Sequence, residues 1–165
     1  MRKLILSIFL LSISMPAFSI GVVIKDKNEL LGCWKRVIYS DETMKQMNKF
    51  NIYHPVHQKY QWFCFFEDER LHVLTSSKDV KHTTESLKKY FKNYPKLMTW
   101  KWIQNSAVET EHKQDSDSKL LWATTRIDKE MKVFGNNVIP KNSVFMGIPT
   151  KDLRNFIITR ILVKI

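Results

Sequence analysis

The 165-residue sequence predicts a mainly β domain, an antiparallel up-and-down barrel of about eight strands with one amphipathic helix. Short segments that favour β structure recur along the chain, and short polar or glycine-containing turns separate them. A strong helical spacing of apolar residues occurs between two of these segments. The last segment, residues 156–165, is apolar up to Ile165 and therefore requires a pairing partner. Pairing with the first strand would close a barrel and remove both sheet edges; another antiparallel, β-rich α+β fold is the alternative.

The first predicted strand spans residues 31–39 (LGCWKRVIY). Successive side chains of a strand point to opposite faces. Trp34 and Arg36 therefore share one face, and Cys33 lies on the other.

A hairpin is the clearest local prediction. Residues 60–66 (YQWFCFF) are aromatic and β-favouring, residues 70–76 (RLHVLTS) alternate, and the polar triplet Glu67-Asp68-Glu69 joins them. His72 is expected at the surface or rim. The further predicted strands are residues 96–105, 107–112, 120–127, 131–134, 143–147 and 156–165.

The amphipathic helix is predicted over residues 83–94, since its apolar residues follow the spacing i, i+3, i+4, i+7. These apolar residues are Leu87, Tyr90, Phe91 and Tyr94. Thr83 or Thr84 can cap the start and Pro95 ends the helix.

A second, shorter helix is predicted over residues 41–50. Met44, Met47 and Phe50 recur at intervals of three, which gives it one apolar edge. Methionine adapts well to apolar guests. We expect this helix to act as a lid over a binding cavity.

The N-terminus has the pattern of a secretory signal peptide over residues 1–19. Met1-Arg2-Lys3 is a basic head, residues 4–13 are an apolar core, and Ala17-Phe18-Ser19 has the small residues of a cleavage site. The apolar core is shorter than the ~20 residues that span a bilayer. The sequence therefore predicts export to the periplasm or the extracellular medium.

Removal of the signal leaves a short extension, residues 20–27, and one domain, residues 28–165. Arg2 and Lys3 leave with the signal, so the mature formal charge falls from +11 to +9. Lysines are spread along the chain, which is typical of a solvated surface; the excess also suits an acidic macromolecule or an anionic membrane surface. Export argues against nucleic acid as a partner, and we expect a monomer.

The stretch "LLGCW" (residues 30–34) contains the residue types of a bacterial lipoprotein cleavage site, but a charged spacer, residues 25–29, separates it from the apolar core. That separation excludes Cys33 as a lipid anchor. In an exported chain the two cysteines, Cys33 and Cys64, favour a disulfide. Antiparallel pairing of the strands at 31–39 and 60–66 would bring them together; two buried thiols are the alternative.

Gly32-x-Trp34 at the start of the first strand resembles the lipocalin and lipocalin-like families. The resemblance implies that Gly32 lets the chain turn in under the barrel and that Trp34 plugs its closed end. It also implies a basic residue from the final strand over the Trp ring, with Arg160 the first candidate and Arg154 the second. Two features depart from the family: a Thr-Asp-Tyr-type motif is missing, and the main helix interrupts the strands.

Catalytic and metal-binding motifs are not recognisable in the sequence. His54 and His57 are the close histidine pair, but Pro55 lies between them, and residues i and i+3 of an extended chain face opposite sides. With four glycines in the chain, phosphate-cradling loops are poorly supplied. We expect no catalytic residues, metal or cofactor.

The aromatic content is the remaining functional signal. An eight-stranded barrel is just wide enough to be filled by side chains or to hold one small ligand. The expected ligand-lining residues are Trp62, Trp100, Trp102, Trp122, Met44, Met47 and Phe50. The sequence favours an exported binding protein for a small hydrophobic or amphipathic ligand, such as a lipid or fatty acid. The alternatives are a secreted protein-interaction or inhibitor module with a filled barrel and, third, a small barrel enzyme.

Overall fold

Eight of the described strands close into an antiparallel barrel in the computed structural model, which describes residues 21–49, 58–104, 106–113, 115–133, 137–151 and 156–165. The strands are β1 Val22–Val23, β2 Gly32–Arg36, β3 Tyr60–Phe65, β4 Arg70–Ser76, β5 Met98–Gln104, β6 Ala107–His112, β7 Asp115–Arg126, β8 Met131–Val133, β9 Asn137–Ile139, β10 Val144–Pro149 and β11 Phe156–Lys164. The helices are a 3-10 turn at Lys27–Glu29, α1 at Asp41–Lys49 and α2 at Thr84–Phe91. Within these ranges no helix is long and apolar enough to cross a membrane.

The barrel is an up-and-down meander. Its strand order is β2-β3-β4-β5-β6-β7-β10-β11, and β11 returns to pair with β2. Every pairing is antiparallel, and β1 adds a short extra strand beside the end of β7. The predicted fold class is confirmed, including closure of the last strand onto the first strand of the barrel.

Residues 131–134 are the exception among the predicted strands. We expected them to belong to the barrel, but β8 pairs with β9 in a separate hairpin. No strand was expected at residues 137–139, where β9 lies. The polar residues Asp128, Lys129 and Glu130 lie outside any strand and separate β7 from this hairpin.

The interior of the barrel holds the largest apolar cluster, to which β2, β3, β4, β5, β6, β10 and β11 all contribute. Its buried members are Ile24, Leu30, Trp34, Phe65, Leu71, Trp100, Val108, Val144, Met146 and Leu162. Residues two apart along a strand share a face, so this cluster identifies which positions of each strand point inward.

Helix α2 covers the outer face of β2, β3 and β4. Thr83 caps it reciprocally with Ser86: each hydroxyl accepts from the other residue's backbone N–H. One turn apart, Leu87 and Phe91 point at the sheet and are buried, as their spacing predicts. A buried cluster on the outside of the barrel results, centred on Cys33, Cys64 and Trp62.

A second outer cluster lies over β10 and β11. The β8–β9 hairpin supplies Ile139 and Met131, which pack with Phe145 and Ile161. Helix α1 joins this cluster through Met44. The barrel therefore has two covered patches on its outside in addition to its interior.

Candidate functional site

Cys33 and Cys64 form the predicted disulfide. The two residues are directly opposite in the β2–β3 ladder, with their Cα atoms 4.1 Å apart. Both side chains are buried beneath α2. The bond therefore joins neighbouring strands on the outer face and leaves the barrel interior unobstructed.

Trp34 is buried in the interior cluster, near the beginning of β2. Its indole Nε1 donates a 2.7 Å hydrogen bond to the carbonyl oxygen of Leu30, just after the 3-10 turn. Gly32 has a φ of +109°, in the region that glycine tolerates and other residues rarely adopt. This conformation carries the chain from the turn into β2, beside the side chain of Lys164.

The cation over Trp34 comes from Lys164, which faces Trp34 across the β2–β11 ladder. Its Nζ lies 5.4 Å from the ring centroid, within the range of a cation–π contact. Arg160, the residue expected there, lies four positions earlier on β11 and pairs with Met146. Arg154 lies outside the described residues.

Three of the expected lining tryptophans are on the inner wall. Trp102, Val108 and Trp122 form one cross-strand row over β5, β6 and β7. Trp100 is buried at the next inward position of β5, and Trp122 Nε1 donates to Thr110 Oγ1 at 3.0 Å. Together these side chains form an aromatic wall inside the barrel.

Two of the expected lining residues lie elsewhere. Trp62 is the cross-strand partner of Lys35 and packs on the outer face, under α2, edge-to-face with His82 at 4.9 Å. Met44 packs into the outer cluster at the β8–β9 hairpin, and Asn137 donates to Thr43 in the same helix. The side chain of Met47 and all of Phe50 lie outside the described residues.

Several inner apolar side chains are only half-buried. Phe63 pairs with Trp34, Val73 pairs with Phe63, and both pack against the interior cluster although solvent reaches part of each. Trp102 and Trp122 also pack against the interior cluster and are also partly exposed to solvent. Solvent therefore reaches part of the inner wall, and at Trp102 it does so through a groove described below.

A polar cluster that was not expected from the sequence also lies on the inner wall. Arg36 is two residues after Trp34 on β2, and Gln61 is two residues before Phe63 on β3. From β11, Arg160 Nε donates to Gln61 Oε1 at 3.1 Å. The available signal was the alternation that put Arg36 on the face of Trp34. Neither guanidinium nor amide groups exchange protons near neutral pH, so this cluster suits binding and not proton transfer.

Two grooves flank the β3–β4 turn. The larger, about 310 Å³, lies between Gly32, Glu67 and Lys88. The smaller, about 180 Å³, lies between Lys27, Glu69 and the indoles of Trp100 and Trp102. Each is lined by both acidic and basic side chains, which gives neither a single charge preference.

His72 is buried on the outer face, where we expected a surface or rim residue. Its ring stacks on Phe91 at 4.7 Å and meets Phe66 edge-on at 5.6 Å. Burial is the largest cause of a lowered His72 pKa; the positive charge of Arg70 lowers it further, and Asp68 opposes the shift. Because these contacts fix α2 to the sheet, His72 is structural.

Metal-ligating groups do not converge in the part of the chain that the structure describes, where no three His, Cys, Asp or Glu side chains form a cluster. The close histidine pair, His54 and His57, lies outside that part. A scan against protein-family models and searches of curated proteins and of solved structures return no match.

Proposed function

We propose that this chain is an exported binding protein that carries one small hydrophobic or amphipathic molecule, such as a lipid or fatty acid, inside its barrel. The single observation that supports this function is the half-buried inner wall of Phe63, Val73, Trp102 and Trp122. Apolar side chains that face an unfilled interior are stabilised when an apolar guest displaces water from them.

The resemblance to the lipocalin-like families adds to the proposal. It rests on Gly32-x-Trp34 and on the eight-stranded closed barrel that contains this motif. Export accounts for the Cys33–Cys64 bond, because disulfides persist in oxidising compartments. Cleavage after residue 19 would release the domain from its signal.

The test of the carrier function is occupancy. Native mass spectrometry of protein purified from its source, followed by lipid extraction, should show a bound small molecule that organic solvent removes. A protein that carries no adduct and binds no apolar probe after delipidation would contradict the proposal.

A matched pair of variants locates the site. Val73→Phe adds a ring to the half-buried inner wall, and we expect it to reduce binding of the extracted molecule at least tenfold. Ile103→Phe adds the same ring type to an exposed position on β5 and should leave binding unchanged. Overpacking costs about 1–3 kcal/mol, so thermal unfolding of both variants is measured in parallel.

A second candidate function is binding of an acidic macromolecule, and the surface of α2 favours it. Lys88 and Lys89 are exposed on this helix and Lys92 is exposed directly after it; they flank Tyr90 on the helix and Tyr94 just beyond it, which are 48% and 46% exposed. The two tyrosine hydroxyls are 2.7 Å apart. We call these five residues the basic helix face; it combines positive charge with aromatic area, as surfaces that bind acidic partners often do.

The basic helix face is tested by a charge-matched comparison. The triple variant Lys88→Gln/Lys89→Gln/Lys92→Gln should weaken retention on an immobilised acidic polymer such as dextran sulphate. The control variant removes three exposed lysines elsewhere, Lys101, Lys129 and Lys132. Equal losses in the two variants, or retention that salt does not reduce, would show that this helix has no special role.

A further inference from the structure

Positive charge is concentrated around α2. Residues 78–97 contain six lysines and two acidic residues, so they carry +4 of the net charge of +11 although they are 20 of the 165 residues. One of the two acids, Asp79, forms an ion pair with Lys35 on β2. The lysines of the basic helix face form no ion pair with another described residue. This part of the surface therefore attracts anions more strongly than the average surface of the chain does.

The basic helix face is directed away from the barrel. The inward positions of α2, Leu87 and Phe91, are buried against the outer face of the sheet. Successive residues of an α-helix are rotated by about 100°, so Lys89 points almost opposite to Leu87, into the solvent. Glu85 is exposed on the same helix and offsets one of the three lysine charges. The helix thus separates an apolar face on the barrel from a basic face in the solvent.

Exposed apolar area lies among these charges. The rings of Tyr90 and Tyr94 are 4.9 Å apart, and both side chains are about half exposed. Leu97 is 37% exposed and follows Tyr94 by three residues. Three residues of chain span at most about 11 Å, so Leu97 extends the exposed area of the two tyrosines. The surface therefore offers both cations and apolar side chains to one partner.

The surface of an anionic bilayer matches this combination better than a dissolved polyanion does. Anionic headgroups attract lysines, and each lysine near the surface corresponds to roughly fivefold in affinity. Tyrosine is enriched at the boundary between headgroups and hydrocarbon, where its ring is in an apolar environment and its hydroxyl stays hydrated. A dissolved polyanion would attract the lysines but would leave the tyrosine rings and Leu97 in water.

We propose that the basic helix face, together with Leu97, docks the protein on an anionic phospholipid bilayer. The lysines lie among the headgroups, and the tyrosine rings lie at the edge of the hydrocarbon. This inference rests on the second candidate function, binding through this helix, and names its partner. In the docked protein α2 lies between the bilayer and the outer face of β2, β3 and β4.

The experiment measures co-sedimentation of the purified protein with lipid vesicles. One set of vesicles is phosphatidylcholine alone, and the other is phosphatidylcholine mixed with phosphatidylglycerol. Wild-type protein should bind the mixed vesicles at least tenfold more tightly at low salt, and added salt should weaken this binding. The triple variant Lys88→Gln/Lys89→Gln/Lys92→Gln should lose at least tenfold in affinity for the mixed vesicles, since three lysines correspond to roughly 100-fold.

A second variant distinguishes a bilayer from a dissolved polyanion. Tyr90→Ser/Tyr94→Ser removes both rings and keeps every lysine. It should lower the affinity for mixed vesicles at least fivefold, because the rings no longer leave water, and it should leave retention on dextran sulphate unchanged. Leu97→Ser should have the same two effects, and it serves as the second variant if the double tyrosine variant does not fold.

The matched control removes exposed apolar side chains from the opposite side of the barrel. Val23 on β1 and Leu121 on β7 are each 52% exposed. Strand β7 is four strands from β3 in either direction around the barrel. Val23→Ser/Leu121→Ser should therefore leave the affinity for mixed vesicles unchanged.

The outcomes distinguish this inference from the second candidate function. Equal wild-type affinities for the two kinds of vesicle, or an unchanged vesicle affinity in the tyrosine variant, would overturn docking on an anionic bilayer. Equal losses in the tyrosine variant and in the control variant would overturn the location of the surface. Retention on dextran sulphate without binding to mixed vesicles would overturn this inference and leave the second candidate function standing. Binding to neither would contradict both.

Discussion

The buried disulfide should supply a large part of the stability of the barrel. Cys33 and Cys64 are separated by 31 positions in the chain, and the bond closes that loop in the unfolded state. For a loop of this length the chain-entropy relation gives about 3.7 kcal/mol at 25 °C. Over a domain of about 145 residues, this corresponds to a fall in Tm of about 12 °C.

The perturbation is the double variant Cys33→Ala/Cys64→Ala, and the assay is urea unfolding followed by tryptophan fluorescence. Each single variant also breaks the bond, so under reducing conditions both singles should resemble the double variant and should not add up to it. Wild-type protein that has been unfolded, reduced and refolded is the control that keeps both sulfurs in place. It should show most of the same loss.

A second part of this prediction concerns access to the bond. Both sulfurs are buried under α2, so reductant added to native protein should act only as fast as the helix opens. A loss of less than about 1 kcal/mol in the double variant would refute the chain-entropy reasoning for this loop. Reduction of native protein as fast as that of an exposed model disulfide would refute the burial argument.

Three further predictions concern the attachment of α2. Leu87→Ala removes a fully buried side chain and should lower the free energy of unfolding in urea by about 2–5 kcal/mol. Lys88→Ala, at its exposed neighbour, should lower it by less than about 0.5 kcal/mol. Similar losses of stability in both variants would show that the helix does not depend on this contact. Thr83→Ala removes the cap that accepts from the Ser86 backbone N–H and should cost about 0.5–2 kcal/mol, with Thr83→Asn close to wild type. Because burial lowers the folded-state pKa of His72 below 6.5, the unfolded chain binds the proton more readily; stability should be full above pH 6.5 and decrease as the pH falls below it. His72→Phe should remove this part of the pH dependence, and an unchanged slope in that variant would assign the effect to another group.

The local pattern of the first strand was enough to predict two features of the site. Period-two alternation put Cys33 and Trp34 on opposite faces, and antiparallel pairing with residues 60–66 then put Cys33 near Cys64. The structure has the bond on the outer face and Trp34 in the interior cluster. The same alternation put Arg36 inside, although no binding role was assigned to it from the sequence.

The hydrophobic pattern alone could not assign a face to Trp62. The stretch YQWFCFF is apolar on both faces, because one face meets the barrel interior and the other meets α2. A strand buried on both sides has no polar face to mark the outside. The outward direction of Trp62 follows from Cys64, which is two residues away on the same face and forms the outer disulfide.

Long-range register decided the cation over Trp34. Arg160 and Lys164 lie four residues apart on the same face of β11. Either residue therefore fits the expectation of a basic side chain from the final strand over the Trp34 ring. The β2–β11 ladder places Lys164 opposite Trp34 and leaves Arg160 beside Gln61. A register shift of a few residues would have reversed these positions, and nothing local to β11 encodes it.

The closure of the barrel, the position of α2 and the pairing of the two cysteines could be predicted from the sequence, although α2 ends at Phe91 and not at Tyr94, and β9 was missed. These features depend on residues close together in the chain or on edges that must be paired. The position of Met44 and the meeting of Arg36, Gln61 and Arg160 on one wall could not be predicted from the sequence. Those outcomes depend on the register between strands that are far apart in the sequence and on which outer faces the helices cover. Where a strand has side chains of similar chemistry on both faces, its local sequence encodes neither the register nor the covered face.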